Sequence, residues 1–199
     1  MSQLVIAIRA ALVTLVLTGL AYPLVVTGLA QTLFPRRANG SLVSDDKGRD
    51  VGSELIGQGF TSPGYFHARP SASGYDAANS AGTNLAVTAK KLRDGDDQTP
   101  GVVALAAAYR AENDLAADAE IPADAVARSA SGIDPHISID NARLQVARIA
   151  RARGVAVERV VGVLDQYAEL PWLGWFGEPQ VDVLVANLAL DRTFGALTR

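Results

Sequence analysis

The sequence of 199 residues contains no cysteine, two histidines and one methionine, and only 6% of its residues are aromatic. The lack of cysteine excludes disulfides, CxxC redox pairs and thiolate zinc sites. Because His67 and His136 are the only histidines, a multi-histidine metal site would need carboxylates to complete it. A GxxxxGK[ST] phosphate loop, a GxGxxG turn and a GxSxG nucleophile elbow are also missing. Nothing in the sequence therefore resembles an enzyme.

A large excess of charge of one sign is missing as well. The chain has 18 Lys+Arg and 21 Asp+Glu, which gives a formal net charge of −3. Binding to a nucleic-acid backbone needs a clustered basic surface that this balance does not supply, so we expect no nucleic-acid partner. The hydrophobic share of 49% excludes a mainly disordered chain, and the length suits one domain with its own core.

The apolar residues are concentrated near the N-terminus. Between Arg9 and Arg36 lie 26 consecutive residues without charge. A helix of that length reaches about 39 Å, which is more than the roughly 30 Å of a bilayer's hydrocarbon layer. The sequence therefore predicts a short N-terminus at 1–9, a transmembrane helix at 10–35 that contacts membrane lipid, and a soluble domain at 36–199.

Two other structures compete with a retained anchor. A buried core helix would seldom stay uncharged on every face for so long. A cleaved signal peptide is the stronger competitor, since Gly28-Leu29-Ala30 resembles a small-x-small cleavage site. The apolar stretch is longer than the usual signal-peptide core of about 7 to 15 residues, which favours the anchor.

Small residues recur along one side of the predicted span at alternating steps of four and three. In lipid, helices associate where small side chains let their backbones approach, so this seam can dock on other membrane helices. Small residues are also common in such spans without docking, and both interpretations stay open. Pro23 lies in mid-span, where we expect a kink. The seam consists of Ala7, Ala11, Thr14, Thr18, Ala21 and Gly28, with Val25 as its one larger member.

The charges beside the span give only a weak indication of orientation. Arg36 and Arg37 after the span outnumber Arg9 before it, and the positive-inside rule then places the C-terminal domain in the cytoplasm. Large domains translocate largely regardless of charge, so the rule has little weight here. Without these three arginines, residues 38–199 have 15 basic and 21 acidic side chains, a net charge of −6.

The soluble part opens with polar, glycine-rich sequence. Residues 38–50 contain the turn signals Asn39-Gly40 and Lys47-Gly48, which predict a short hairpin or the linker that leaves the membrane. Residues 51–87 lack helical periodicity, which is typical of long ordered loops with short strands or of a flexible region. Aromatic residues favour order because they can pack: Phe60, Tyr65, Phe66 and Tyr75.

Helices are predicted farther along the chain. Thr99 and Pro100 fit the start of an alanine-rich helix over residues 102–117. The clearest helix covers 139–153, with Ser138 as its cap and Gly154 as its stop. Its apolar stripe consists of Ile139, Ala142, Val146, Ile149 and Ala150.

A second amphipathic helix is predicted before Pro171, with Val157, Val160, Val161, Leu164 and Ala168 on one face. Residues 180–191 begin with alternating, β-branched residues and predict a buried strand that turns into a short final helix. Together these elements predict a mixed α/β or α+β domain behind a single N-terminal transmembrane helix.

One group of residues invites a test for hydrolytic chemistry. Ser129 or Ser131 with Asp134 and His136 has the composition of a triad. Members of a triad generally converge from separate elements, whereas these lie within eight positions, so a turn leading to the cap of the next helix is the better interpretation.

Six strings carry a resemblance that covers essentially the whole chain. In their order and spacing behind one N-terminal span, they resemble the C subunit of the Kdp potassium-transporting P-type ATPase. The third string departs from many relatives, which have paired glycines and a serine there, and this weakens any role of an ATP-binding-cassette-like glycine signature. The strings are GSELIGQGF (52–60), YFHARPSA (65–72), NSAGTNLAV (79–87), SASGIDPHIS (129–138), QVARIARARG (145–154) and VLVANLALD (183–191).

The resemblance implies an accessory subunit of a potassium uptake complex that does not itself hydrolyse ATP. In that family the A subunit conducts potassium, the B subunit hydrolyses ATP, and a small F subunit accompanies them. The C subunit has its N-terminus in the cytoplasm and its domain on the outer face of the bacterial cytoplasmic membrane, contrary to the local arginine count. The sequence lacks the DKTGT phosphorylation motif of the pump subunit, which agrees with a non-hydrolysing role.

Two mechanisms follow from the resemblance. In one, the seam docks in the membrane and the acidic domain covers the potassium entrance. In the other, the subunit is a catalytic chaperone that raises the ATP affinity of the pump subunit in a transient complex, with no cofactor bound stably. Gln145 matches the residue invoked for nucleotide contact, although it lies at the border of the apolar stripe, where a boundary side chain that bonds the surface is equally expected.

Two sets of residues are candidates for contact with partner subunits. Tyr65, Phe66, Arg69 and Pro70 lie in the most recognisable string, although core or loop packing also suits them. Leu144, Arg148 and Arg151 lie opposite the apolar stripe of the helix over 139–153 and suit an exposed docking patch, although a single exposed leucine is also ordinary. A membrane-anchored hydrolase remains as a remote alternative of a different class.

Overall fold

A computed structural model describes residues 2–45, 47–171 and 173–197. The chain divides into two compact units, one up to Leu42 and one from Val43 onward. The first unit contains helix α1 (Gln3–Val16), a π-helical turn (Leu17–Ala21), helix α2 (Tyr22–Leu33) and the short helix α3 (Pro35–Ala38).

The first two helices and the turn form one continuous helix, Gln3–Leu33, of 31 residues, and the mean hydropathy of its most apolar 18-residue window is 2.3. None of its most apolar 18-residue window is buried. It is the one helix in the described part of the chain that is long and apolar enough to cross a membrane. The helix begins seven residues before the predicted span at 10–35 and ends two residues before its end.

The π-helical turn lies directly before Pro23. The amide of Tyr22 donates to the carbonyl of Leu17, five residues back. Proline has no amide hydrogen, and its ring collides with the carbonyl four residues earlier, so a widened turn relieves the crowding. The distortion expected from Pro23 therefore takes the form of a wide turn on its N-terminal side.

The second unit begins with a two-stranded sheet of β1 (Leu42–Ser44) and β2 (Asp50–Ser53). Gly48 has φ +72° in the turn between them, a conformation that favours glycine. Of the two expectations for residues 38–50, the hairpin is the one observed.

The next thirty-six residues, 54–89, contain no helix or strand and are nevertheless ordered by packing. Phe66 is fully buried in the main core, Phe60 packs against that core, and Tyr75 donates its hydroxyl to the carbonyl of Arg69 at 2.7 Å. The interpretation of residues 51–87 as ordered loops is confirmed.

Helix α4 (Lys90–Asp94) precedes α5 (Val102–Glu112), which is shorter than the predicted helix over 102–117. Thr99 does not cap α5, because the N-cap position is held by Gly101, which has no side chain to accept a hydrogen bond. The Thr99 amide belongs to a separate turn, where it donates to the Asp96 carboxylate at 2.8 Å. The helix ends at Glu112, since Asp114 takes a left-handed conformation with φ +53°.

A 3-10 turn (Ala123–Ala125) and strand β3 (His136–Ser138) lead into α6 (Ile139–Arg153), which matches its prediction at both ends. The Ser138 hydroxyl accepts the amide of Asn141 at 3.1 Å, and Gly154 ends the helix with φ +64°. The predicted stripe faces the core, with Ile139 at its half-buried edge.

Helix α7 (Val157–Tyr167), strands β4 (Ala168–Glu169) and β5 (Gln180–Asp182), and helix α8 (Val183–Phe194) complete the unit. The strands form an antiparallel sheet in the order β3-β5-β4, with Val181 opposite both Ile137 and Ala168. The predicted strand-to-helix transition near 180–191 is confirmed. On α7 the prediction is wrong for Val157, which is exposed, and it misses Val163, which is buried.

The main core lies between α6, α7, α8 and the three-stranded sheet, with Phe66 inserted from the loop. A smaller core contains Tyr109 on α5, Ala125 and Val126, and Leu144 of α6 packs against it. Helix α6 is therefore covered on two sides. The molecule has the expected class, an apolar N-terminal helix followed by a mixed domain of helices and a small sheet.

Candidate functional site

Side-chain amides from α6 and α8 bind two adjacent residues of the loop at 54–89, which passes between the two amides. Gln145 accepts the amide of His67 through Oε1 at 2.7 Å and donates from Nε2 to the His67 carbonyl at 3.1 Å. Asn187 does the same for Phe66, at 2.7 Å and 2.9 Å. Each amide therefore imitates the edge of a neighbouring β-strand. We call this arrangement the amide clamp (Gln145, Asn187, Phe66 and His67).

A buried arginine stabilises the same loop from α6. Arg148 donates to the carbonyls of Pro63 at 2.7 Å and Tyr65 at 3.0 Å, to Gln145 Oε1 at 2.7 Å and to Asn113 Oδ1 at 3.0 Å. Its side chain is only 2% exposed. Burial lowers the pKa of Arg148 below its ordinary value because it penalises the charged form. The guanidinium is therefore solvated by oxygens of the protein rather than by water.

His67 joins the loop to the end of α5. Its Nδ1 lies 2.7 Å from Glu112 Oε1, and its Nε2 lies 3.0 Å from the carbonyl of Ser62. The hydrogen bond from His67 lowers the pKa of Glu112 below its usual value, and the charge of nearby Arg148 lowers it further. The ring therefore links the backbone of the loop at Ser62 to the side chain of Glu112 at the end of α5.

A third set of contacts fixes the same stretch of the loop at Gly64 and Tyr65. Arg153 donates to Asp191 Oδ1 at 2.8 Å and to the carbonyl of Gly64 at 2.7 Å, and its guanidinium lies 4.9 Å from the centroid of the Tyr65 ring. The Tyr65 hydroxyl donates to Asp191 Oδ2 at 2.9 Å. Burial, and then this bond to a carboxylate, raise the pKa of Tyr65. These contacts stabilise the loop, and they engage Arg153, Asp191 and the Tyr65 hydroxyl within the domain.

A cleft of about 450 Å³ has four acidic side chains among its thirteen lining residues, and we call it the acidic cleft. Arg69 bonds Asp134 across it at 2.8 Å. Its other ionisable lining residues are Asp124, His136, Asp140 and Glu178. No group of three or more potential ligands in the described parts of the chain is arranged to hold a metal ion.

The possible hydrolytic triad is not assembled in the described structure. Ser129 accepts the amide of Gly132 at 2.7 Å, and Ser131 accepts the amide of Ile133 at 3.2 Å. His136 lies 3.8 Å from Asp134, and none of the described hydrogen bonds joins it to a serine. The serines form turns, as the alternative interpretation of this segment predicts.

The glycine-containing string at 79–87 also has a structural explanation. Ala81 donates its amide to the carbonyl of Ser131 at 2.8 Å. A Cβ built on Gly82 would lie 2.6 Å from the carbonyl oxygen of Ala130, which is closer than van der Waals contact allows. Glycine at this position permits close approach of two backbones.

Several residues predicted to face partners or nucleotide are interior. Gln145 is 1% exposed, so the expectation of a boundary side chain that bonds the surface is wrong. The predicted contact surface is wrong for Tyr65, Phe66 and Arg148, whose side chains are buried in the domain itself. The exposed docking patch on α6 is also wrong for Leu144, which packs into the smaller core.

The remaining predicted residues have less restrictive surroundings. Arg69 is half-buried at the acidic cleft, and Arg151 is exposed in an ion pair with Asp114, so their contact roles stay predictions. The seam residues lie on the apolar helix and are exposed in the structure, and their docking role also stays a prediction: Ala7, Ala11, Thr14, Thr18, Ala21 and Gly28.

Most of the polar residues that organise this region are not among the residues predicted from the sequence. Asn187 sits within an apolar helical string, and a lone amide among aliphatic residues is the signal that can identify such a role. Asp124 is another, since it accepts the Ser138 amide and hydroxyl and an Asn141 amide hydrogen within 3.0 Å. Arg153 lies in the last turn of α6, where the sequence indicates only a favourable interaction with the helix dipole.

Comparison with known proteins identifies close similarity over nearly the full length. Residues 4–192 match the family described as KdpC, the c chain of a K⁺-transporting ATPase. The chain is 56% identical to the Potassium-transporting ATPase KdpC subunit of Myxococcus xanthus, with 98% of this chain and 90% of the relative covered. It is 49% identical to the protein of that name from Caulobacter vibrioides, over 96% of this chain and 95% of the relative.

Proposed function

The chain belongs to the KdpC family, the c chains of K⁺-transporting ATPases, and from that premise we propose that it is an assembly subunit of such a pump in the bacterial cytoplasmic membrane. Its partners are the channel-like A, ATP-hydrolysing B and small F subunits. In this role it contributes contacts and does not itself turn ATP over.

The apolar helix is the observation that carries this proposal. Gln3–Leu33 exposes its large aliphatic side chains in the isolated chain, so it needs lipid or other membrane helices around it. The family match begins at residue 4, so the helix is part of what this chain shares with the family. The length of the helix, 31 residues, exceeds the usual apolar core of a signal peptide and favours a retained anchor.

The soluble domain acts on the outer face of the membrane as an acidic cap near the potassium entrance. Its net charge of −6 over residues 38–199, from 15 basic and 21 acidic side chains, attracts cations. The amide clamp and Arg148 keep the cap rigid, which suits a part that holds other chains in place.

An effect on ATP affinity is the second candidate, and the geometry favours an indirect one. Both polar atoms of the Gln145 amide are engaged within the domain, and the side chain is inaccessible to a nucleotide without local opening. A catalytic-chaperone role then operates through how the domain holds the pump subunit. ATP is a ligand only of the transient complex in this proposal.

Replacement of residues 10–35 by an unrelated apolar span tests the assembly role while it preserves anchoring. We expect the variant to reach the membrane and to lose co-purification with the A and B subunits. The matched control keeps the natural span and replaces the exposed Val87 with Ala. A stoichiometric complex with the unrelated span would contradict the proposed role of the helix.

A further inference from the structure

The connection between β4 and β5 exposes a cluster of large apolar side chains. Its sequence is LPWLGWFGEP (170–179), and its first eight residues carry no charge. The side chains of Leu170, Leu173, Trp175 and Phe176 are 80%, 68%, 75% and 63% exposed. Trp172 lies in the same stretch, outside the described residues. We call residues 170–177 the aromatic loop.

The loop holds these side chains outward with defined local structure. The Gly174 amide donates to the Pro171 carbonyl at 2.9 Å, and the rings of Trp175 and Phe176 meet edge to face at 5.7 Å. Leu173 has φ +56°, a conformation that leucine rarely adopts. Elsewhere in the domain, exposed large apolar residues are spread along the chain, which is ordinary for a soluble surface: Leu55, Val87, Val103 and Val157.

We infer that the aromatic loop inserts into the lipid–water interface of the membrane that the N-terminal helix spans. Tryptophan, phenylalanine and leucine are the residues that interfacial segments use, because their apolar bodies leave water while backbone and indole N–H groups stay near the headgroups. The inference rests on the proposed membrane anchoring and not on assembly with the other subunits.

The tether makes the membrane a constant neighbour of the domain. From Leu33, the end of the apolar helix, to Leu42, the start of β1, the chain advances nine residues. Nine residues reach at most about 30 Å, and a domain of this size is roughly 40 Å across. The effective concentration of lipid at the domain surface is therefore high, and even weak insertion is populated.

The small size of the loop favours lipid over a protein partner. Stable protein interfaces bury about 800 Å² on each side, which a few side chains on one connection do not supply alone. Interfacial insertion needs only a few large apolar side chains.

The charges beside the loop predict what kind of lipid it prefers. Glu169 and Glu178 flank it, so headgroups with negative charge repel rather than attract this end of the domain. Insertion is therefore driven by apolar burial. We expect it to persist in phosphatidylcholine, to change little with salt and not to increase when phosphatidylglycerol is added.

The two tryptophans of the chain, Trp172 and Trp175, both lie in the loop, so tryptophan fluorescence, excited selectively over the tyrosines, reports on this segment. The full chain is reconstituted in phosphatidylcholine vesicles with or without brominated acyl chains. We expect blue-shifted tryptophan emission and quenching by the brominated lipid. Phe176→Asp and Leu173→Asp should each reduce the inserted population on the order of tenfold, while Val87→Asp leaves it unchanged.

Water-exposed emission without bromolipid quenching in the reconstituted chain would overturn the inference. A blue shift of the tryptophan emission that appears only after the other pump subunits are added, still without bromolipid quenching, would also overturn the inference. It would show that a protein surface covers the loop. Circular dichroism checks that each variant is folded. If brominated lipid quenches the tryptophan fluorescence but the chain does not co-purify with the A and B subunits, the proposed function is contradicted. The inference about the aromatic loop is then still supported.

Discussion

At the scale of single residues, Gln145 and Asn187 take the place of a β-strand that the fold does not have. Phe66 and His67 lie in a loop outside any strand, and their backbone groups are buried or partly buried and need partners. Two side-chain amides meet that need. The Gln145 amide also donates to Asn141 Oδ1 at 2.9 Å and accepts from Arg148 at 2.7 Å. This explains why glutamine and asparagine occur on otherwise apolar helix faces.

Gln145→Ala and Asn187→Ala should each lower the free energy of unfolding by about 1 to 3 kcal/mol, because each leaves a buried amide and carbonyl without partners. Denaturant unfolding followed by circular dichroism measures this loss. Gln166→Ala, at an exposed position of α7, is the matched control and should change little.

The same two variants separate an indirect ATP effect from a direct one. For assembled pump, we expect the Michaelis constant for ATP to respond alike to Gln145→Ala and Asn187→Ala, since both loosen the same loop. A change with Gln145→Ala alone would support nucleotide contact by that residue and contradict the indirect role.

The buried carboxylate of Asp182 predicts how the free energy of unfolding depends on pH. It caps α8 by accepting the Val185 amide at 2.9 Å and is 5% exposed, and burial raises its pKa above the ordinary value. A raised folded-state pKa means that its contribution to stability is greatest below the unfolded pKa of about 3.9 and declines as the pH rises through the folded value.

Asp182→Asn keeps the capping acceptor and removes the buried charge. Its unfolding free energy at pH 7 should equal or exceed that of the wild type, and any advantage should shrink as the pH falls toward 4. Asp182→Ala should cost about 1 kcal/mol because the cap is lost. Unfolding curves at several pH values test both, and an Asn variant that is less stable at pH 7 than at pH 4, relative to wild type, would contradict the sign.

At the scale of elements, local signals identified α6 from Ser138 to Gly154, because caps act within a few residues of the helix they end. The sequence predicts an exposed face opposite the stripe, but the smaller core covers part of that face. A helical wheel cannot show this, because it contains no information on distant segments. The partner of Gln145 lies 78 residues away, at His67. Pairings at that distance depend on topology, which local patterns do not encode.

One glycine in the loop before α4 and one in α7 provide a matched pair of substitutions. Gly82→Ala should destabilise the domain by about 1 to 3 kcal/mol, because its Cβ would collide with the backbone of Ala130. Gly162→Ala, in α7 with open space around it, should stabilise by about 0.5 to 1 kcal/mol through helix propensity. Thermal unfolding of both variants tests the comparison, and a tolerated alanine at position 82 would show that the string at 79–87 is not held by this packing.

At the scale of the whole molecule, the cysteine-free sequence allows a direct test of orientation. Val87→Cys introduces one thiol at a position that is 92% exposed. With the domain on the outer face, a membrane-impermeant maleimide should label this thiol in intact cells, whereas Ser2→Cys should react only after permeabilisation. Labelling of Val87→Cys only in broken cells would place the domain inside.

The fate of the label on Ser2→Cys also tests the anchor. A retained helix keeps that label on the same polypeptide as the domain, and removal of the first thirty residues separates them. Denaturing electrophoresis of the labelled, permeabilised cells distinguishes these outcomes.

The wide turn at Leu17–Ala21 has a consequence for how the anchor meets its neighbours. Such a turn takes in one extra residue, and each residue of a helix advances about 100° around the axis. Thr14 and Gly28, which a regular helix would place on nearly the same side, therefore lie on different sides of the helix axis. A single adjoining helix can then cover the small residues of one half, and the other half is left to meet a second neighbour.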